Sequence, residues 1–202
     1  DINLFNKQIT EGDHKELIDI DVIVGGPPCQ GFSGMNRYRN VDDPRNSLIE
    51  SFVQTVELLN PKVVLLENVT GIMSLGDGIY FQALLDKLEH LGFNYDFGIF
   101  QAGYYGLPQN RWRFICVASK TNEEIIFPEP AFEFSTTAAH NVGKFKNKII
   151  RPLLDGHTLF SNLKKTINVF GSISDLPSIQ NGEKYEGVYT ETAKSNYQKW
   201  IR

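Results

Sequence analysis

DVIVGGPPCQGFSG, Asp21 to Gly34, decides the fold. Its first half is a short, β-branched run with apolar residues on successive positions, closed by Gly25 and Gly26. Apolar side chains on successive positions ask for burial on both faces, the pattern of a parallel strand inside an α/β sheet. The glycines and prolines that follow stop the strand and turn the chain. Cys29 comes directly after that turn. The carboxyl edge of an open α/β sheet is where ligands bind.

Working outward, Gly31 to Asn46 is rich in Gly, Asn, Arg and Asp and reads as a long loop. Leu48, Ile49, Phe52, Val53, Val56 and Leu59 recur at helical spacing, which predicts an amphipathic helix that stops before Pro61. Val63 to Leu66 reads as a second buried strand ending at Glu67-Asn68. Phe81, Leu84, Leu85, Leu88 and Leu91 mark a second helix, closed by Gly92. Phe93 to Phe100 and Phe114 to Ala118 are two further strands, paired if the turn from Tyr104 to Arg111 doubles back. Two strand–helix units followed by a hairpin give an open α/β sheet with an antiparallel edge. From about Asn122 the pattern weakens, and Pro128, Pro130, Pro152 and Pro177 punctuate short segments. Thr166 to Val169 is expected to be a short strand, and Ser174-Asp175-Leu176-Pro177 a turn or cap. The expected division is a catalytic core over 1–121, then a linker and the beginning of a separate lobe over 122–202.

The 202 residues carry a net charge of -4, and 41% are hydrophobic, enough for a sizeable core. The charge argues mildly against nucleic acid as a partner. Its distribution argues the other way. Arg37, Arg39, Arg45, Arg111 and Arg113 lie near the motifs, while Glu123, Glu124, Glu129 and Glu133 lie elsewhere. A positive cleft on an acidic body fits that arrangement. Cys29 and Cys116 would make a poor disulfide framework for this length, which points to a reduced, intracellular compartment. No run approaches a membrane span, and the first residues do not read as a signal peptide. Both ends, Asp1 and Arg202, read as cuts, so a piece of a longer chain is expected.

Three features carry chemistry. Cys29 sits between a proline turn and a glycine-rich loop, held in place yet reachable; a thiolate there is a strong nucleophile. The plain alternative is a buried structural cysteine in a tight turn. Glu67 follows four apolar strand residues and is costly to bury as a charge, so it is either protonated or paired with an arginine. Either state suits hydrogen bonding to a ring nitrogen; a helix cap or a solvated strand end is the alternative. Arg111 and Arg113, in QNRWR, alternate as they enter a strand, so their side chains share a face. Such a pair can hold a carboxylate, a phosphate or a carbonyl oxygen, or can be surface cations on an edge.

GGPPCQGFSG, ENV and QNRWR together resemble motifs four, six and eight of the cytosine-5 methyltransferases. Arg45-Asn46-Ser47-Leu48 followed by Phe52 resembles motif five, in the same order and spacing. GFSGMNR, FQAGYYGLPQNRWR, FPEP and SDLPSIQNG are most similar to the eukaryotic maintenance-type DNA enzymes. The resemblance implies an open, Rossmann-like S-adenosylmethionine-dependent methyltransferase sheet, incomplete because its first strands are absent, followed by the start of a target-recognition region.

That resemblance also implies roles. Cys29 would add to C6 of a flipped-out cytosine, Glu67 would hydrogen-bond N3 and the exocyclic amine, Arg113 would hold O2, and Arg111 would brace the cysteine loop. Asn68 and Gln109 would help form the substrate pocket, and Gln30, Ser33 and Arg37 would contact DNA from the loop after Cys29. For S-adenosylmethionine, Asp1, Ile2, Pro28 and Leu48 are the implied binding residues, with Asp13 as the alternative adenine-side acid. The family's first two motifs, the glycine-rich turn and the ribose-binding acid, are missing, so the chain alone is expected to bind cofactor poorly. No metal is implied. The expected partner is double-stranded DNA, with CpG as the implied target, no membrane, a nuclear location, and chromatin proteins bound through other regions. A transfer RNA cytosine-5 methyltransferase, whose cysteine motif has PF where this chain has Gly31-Phe32, and a non-catalytic DNA-binding module are the competing readings.

Overall fold

Val22–Gly25 forms strand β1 and Val63–Asn68 forms strand β2, in a computed structural model that describes residues 1–28, 47–74, 78–136, 142–152, 163–187 and 192–201. The two strands pair in parallel, with Val22 opposite Val63 and Gly25 opposite Leu66. Strand β3 covers Asn94–Gln101 and β4 covers Trp112–Ser119. The sheet order is β1-β2-β4-β3, and β4 runs antiparallel to β2, with Asn68 opposite Phe114 and Val63 opposite Ser119. The Ala102 N–H donates to the Arg111 carbonyl at 2.9 Å, so the connector between β3 and β4 does double back. This open, mixed order is that of the S-adenosylmethionine-dependent methyltransferase sheet.

The chain folds as two compact units. One comprises Asp1–Phe100, Trp112–Glu129 and Thr137–Arg151; the other comprises Gln101–Arg111, Pro130–Thr136 and Pro152–Arg202. In the first unit, helix α2 (Ser47–Leu59) and helix α3 (Ile79–His90) cover the face of the sheet that carries Val64, Leu66, Phe114 and Cys116. The helical spacings read from the sequence are the buried ones: Ile49, Phe52, Val53, Val56 and Leu59 on α2, and Phe81, Leu84, Leu85 and Leu88 on α3. Both helices end in a left-handed residue, Asn60 (φ 47) and Gly92 (φ 83), the residue types that tolerate that backbone. Phe81 meets Phe97, Phe114 and Phe145 edge-on at 5.2–5.3 Å, the geometry the ring quadrupoles favour.

A further helix, α1 (Ile2–Thr10), opens the chain, with Asp1 as its N-cap: the Asp1 carboxylate accepts from the Asn3 and Leu4 N–H groups at 2.8 and 3.3 Å. It packs on α2 through polar groups. The buried Asn6 amide donates to the Ser51 carbonyl (2.8 Å) and to Gln54 Oε1 (3.2 Å), and its oxygen accepts from the Thr55 hydroxyl (2.7 Å).

In the second unit, β5 (Phe132–Glu133) pairs in parallel with β6 (Lys164–Lys165). The strand expected over Thr166 to Val169 is not formed. Asn168 instead caps a short helix α4 (Val169–Ile173), its side chain accepting from the Gly171 N–H at 2.8 Å, and the paired strand lies two residues earlier. A cap residue that can satisfy a helix start overrides the weak strand preference of a four-residue run. Ser174 closes α4, as the turn reading expected. Helix α5 (Asn196–Ile201) joins α4 through the buried Gln198, whose oxygen takes the Ser195 N–H at 2.9 Å and whose amide donates to the Ser174 hydroxyl at 3.1 Å.

Candidate active site

The carboxyl ends of β1 and β2 lie side by side, and two groups expected to work together meet there. Gly25 is opposite Leu66, which sets Gly26 against Glu67. A Cβ on Gly26 would stand 3.2 Å from Glu67 Oε2. The other oxygen, Oε1, pairs with Arg113 Nε at 2.7 Å. Arg113 reaches it from β4, antiparallel to β2, and its Nη1 donates to its own neighbour's carbonyl, Trp112, at 2.7 Å. Of the two states open for Glu67, the structure shows the arginine-paired one. Glu67 is 43% exposed at its side chain and Arg113 22%, so the pair is open to a ligand yet shielded on one side.

Asn68 is turned the other way. It is 3% exposed, its amide donates to the Pro27 carbonyl at 3.1 Å, and its oxygen accepts from the Val69 N–H at 2.8 Å. It ties the Gly26-Pro27 turn to the end of β2. Pro28 is exposed just beyond. Cys29, Gln30, Ser33 and Arg37 lie outside the described residues.

Arg111 does not enter the strand. Strand β4 begins at Trp112, so the alternation expected of the two arginines starts one residue late. Arg111 belongs to the connector, in the second unit, with Gln109 exposed two residues before it. Its backbone is held on both sides: its N–H donates to Gln101 Oε1 at 3.0 Å, and its carbonyl takes the Ala102 N–H. Gln101, which the sequence reading passed over as the end of a strand, is fully buried.

For the implied cofactor, Asn3 faces Ser51 while Asn6 faces Gln54 and Thr55. Helices α1 and α2 therefore run in the same direction, and their first turns, with Asp1, Ile2 and Leu48, share one end. That is the end at which the loop from β1 arrives. Ile2 and Leu48 are half-buried apolar side chains, and the Asp1 carboxylate is oriented by its capping bonds. An acid beside two apolar edges fits an adenine ring. Asp13 is exposed beyond the far end of α1, roughly 15 Å along the helix at 1.5 Å per residue. A separate apolar cavity of about 250 Å³, lined by Ile49, Val53, Ile72, Tyr80 and Leu84 between α2 and α3, includes none of the candidate residues.

Comparisons with known proteins bear on the family. The chain is 39% identical over 188 residues to the DNA (cytosine-5)-methyltransferase PliMCI of Paracentrotus lividus, covering 91% of this chain and 12% of that protein. It is 36% identical over 193 residues to DNA (cytosine-5)-methyltransferase 1 of Mus musculus, again 91% of this chain and 12% of the relative. The chain thus spans about an eighth of the length of these relatives. Among solved structures, a protein named as a DNA modification methyltransferase encoded within a prophage (E. coli) matches with a TM-score of 0.58 and 27% identity, over 89% of this chain and 41% of that one. The model of the C-5 cytosine-specific DNA methylases matches residues 3–201, and the chain belongs to that family.

Proposed function

We propose that the protein containing this chain transfers a methyl group to C5 of cytosine in DNA, CpG being the favoured target, through a covalent adduct between Cys29 and C6. The observation that carries this reading is the Glu67–Arg113 pair, 2.7 Å apart beside the Gly26-Pro27 turn. A carboxylate and a guanidinium held side by side present an acceptor next to donors. The Watson–Crick edge of cytosine offers the complement, an amine donor at N4 and a carbonyl acceptor at O2. Uracil or thymine would set its O4 against the carboxylate, an unpaired contact of the kind that strong discrimination is built on.

In this mechanism the Cys29 thiolate adds to C6, and Glu67 favours proton binding at N3 as the ring gains electron density. Arg113 stabilises the charge that develops on O2, and Arg111 braces the cysteine loop. Asn68 holds the turn that delivers Cys29 to a base flipped out of the duplex. S-Adenosylmethionine, the family's cofactor, supplies an electrophilic methyl group when bound; Asp1, Ile2, Pro28 and Leu48 are the residues here that would hold it, Asp1 rather than Asp13 taking the adenine side. Loss of the C5 proton and departure of Cys29 restore the aromatic ring. A nuclear site of action belongs to the same reading, carried by the likeness to eukaryotic enzymes. So does the view that residues from about 122 onward lead into a target-recognition lobe.

Covalent trapping tests it. The full-length protein would be mixed with S-adenosylmethionine and duplex DNA bearing 5-fluorocytosine at CpG, where fluorine blocks the final elimination. A denaturation-resistant adduct that disappears in Cys29→Ser is the expected result. An adduct only on structured RNA would replace DNA with transfer RNA as substrate, and no adduct on either would overturn the enzymatic reading.

A further inference from the structure

Gln101 is completely buried and has no role in the chemistry described above, yet three of its four side-chain hydrogen bonds go to the connector that follows it and the fourth to Thr136. Its oxygen accepts from the Gly103 N–H at 3.2 Å and from the Arg111 N–H at 3.0 Å. Its amide donates to Asn110 Oδ1 and to the Thr136 hydroxyl, both at 2.8 Å. The Thr136 hydroxyl in turn donates to the same Asn110 oxygen at 2.7 Å, closing a triangle. Gln101 thereby grips both ends of the connector, Gly103 at its start and Asn110-Arg111 at its close. A buried amide with two acceptances and two donations satisfied has one orientation, because rotation by half a turn would set donors against donors.

We infer that Gln101 is a positioning residue for Arg111, with Asn110 and Thr136 as its supports: it sets the backbone from which the Arg111 guanidinium projects. An exposed arginine on a glycine-containing connector would otherwise sample many orientations. Fixing its main chain lowers the cost of holding the guanidinium at one place when the substrate binds. Gln101 touches neither base nor cofactor in this assignment; it acts through Arg111. The inference rests on the methyl-transfer reading, in which Arg111 braces the cysteine loop.

The test is a double-mutant cycle in the full-length protein, read as kcat on CpG DNA with S-adenosylmethionine. Gln101→Met keeps the volume and removes all four bonds. It is expected to lower kcat by up to about 100-fold, the penalty of a misplacement of about 1 Å, with KM for S-adenosylmethionine unchanged. Gln101→Glu keeps the acceptor for Arg111 and falls between wild type and Gln101→Met. In an Arg111→Ala background, Gln101→Met should lower kcat no further, by less than about 2-fold, because the group it positions is gone. Effects of the two substitutions that multiply would overturn the inference, since a purely structural role is indifferent to Arg111. Should Gln101→Met not fold, Thr136→Val, at a half-buried site, carries the same cycle and is expected to show the same loss of effect in Arg111→Ala. A wild type active on DNA with Gln101→Met equally active would sink this inference alone; a wild type inactive on every cytosine substrate would sink it together with the proposed function.

Discussion

At the scale of the residue, the site is governed by close approach. Gly26 is the place where a side chain cannot be added cheaply: a methyl there would press on Glu67 Oε2 at 3.2 Å. Gly26→Ala is expected to shift the carboxylate by a few tenths of an ångström and to lower kcat by roughly tenfold, with little change in thermal stability. Steady-state kinetics beside a melting curve would check this. Arg113→Lys keeps the charge but loses the fixed fork that serves Glu67 and a ligand oxygen together, and a loss of about 10²–10³ in kcat is expected, the usual cost of one stabilising donor. The second cysteine gives an internal control. Burial, with the Asp96 carboxylate adding to it, pushes the Cys116 thiol from its ordinary value of 9.0 up to about 12. It should resist alkylation at neutral pH in the folded protein, so peptide mapping after brief iodoacetamide treatment should find Cys29 modified and Cys116 intact. The fold holds Cys116 protonated, so its contribution to stability is complete below about pH 9 and is lost as pH rises through about 12. Cys116→Ala should flatten that alkaline limb in denaturation curves. The places of Glu67 and Arg113 near strand ends were legible in the sequence because strand ends are local signals. Gln101 was not, since a polar residue at a strand end looks solvated until its partners, Thr136 among them, come together.

Elements show the same division. Helices α2 and α3 were readable because one apolar face at helical spacing survives any tertiary arrangement. Helix α1 escaped notice, although Ile2, Phe5 and Ile9 fall at helical spacing, because its apolar face is short and its hydrogen bonds to α2 are made by Asn3 and Asn6. Asn6→Ala is expected to cost about 1–3 kcal/mol, because it removes the buried bonds to the Ser51 carbonyl and from the Thr55 hydroxyl, which keep their contact with each other at 3.0 Å. Urea denaturation would measure it. The end of β1 is tighter still. A Cβ on Gly25 would lie 2.2 Å from the Phe52 ring, so the glycine is required by the helix that crosses it. Gly25→Ala should destabilise by about 1–3 kcal/mol through overpacking, seen in the same titration, and Phe52→Leu should recover part of the loss by opening space.

On the scale of the whole molecule, β1 is the outer strand of the described sheet, with Val22 at 47% and Val24 at 68% exposure. The sequence announces these valines as buried on both sides; among the described residues they stand exposed. An apolar strand edge is a template for pairing with another chain. The isolated chain is therefore expected to self-associate with rising concentration, and Val24→Lys to shift it toward monomer, with sedimentation velocity as the measurement. A Val24→Lys chain that sediments like the unaltered one would show that this edge is not the contact.

The sequence by itself determined the family, the parallel pair of strands, two of the helices, and the residue types proposed to meet a base. Each depends on neighbours within a few positions, or on motifs whose order along the chain is enough. Tertiary structure alone decided that Glu67 is paired with Arg113. It also decided that the Asn68 amide meets the Pro27 carbonyl, that Asp1 rather than Asp13 shares an end with Leu48, and that the Arg111 N–H meets Gln101. Those outcomes depend on strand register and on hydrogen-bond partners up to 49 positions apart, as between Asn6 and Thr55, and no local pattern encodes which distant donor will reach a given acceptor.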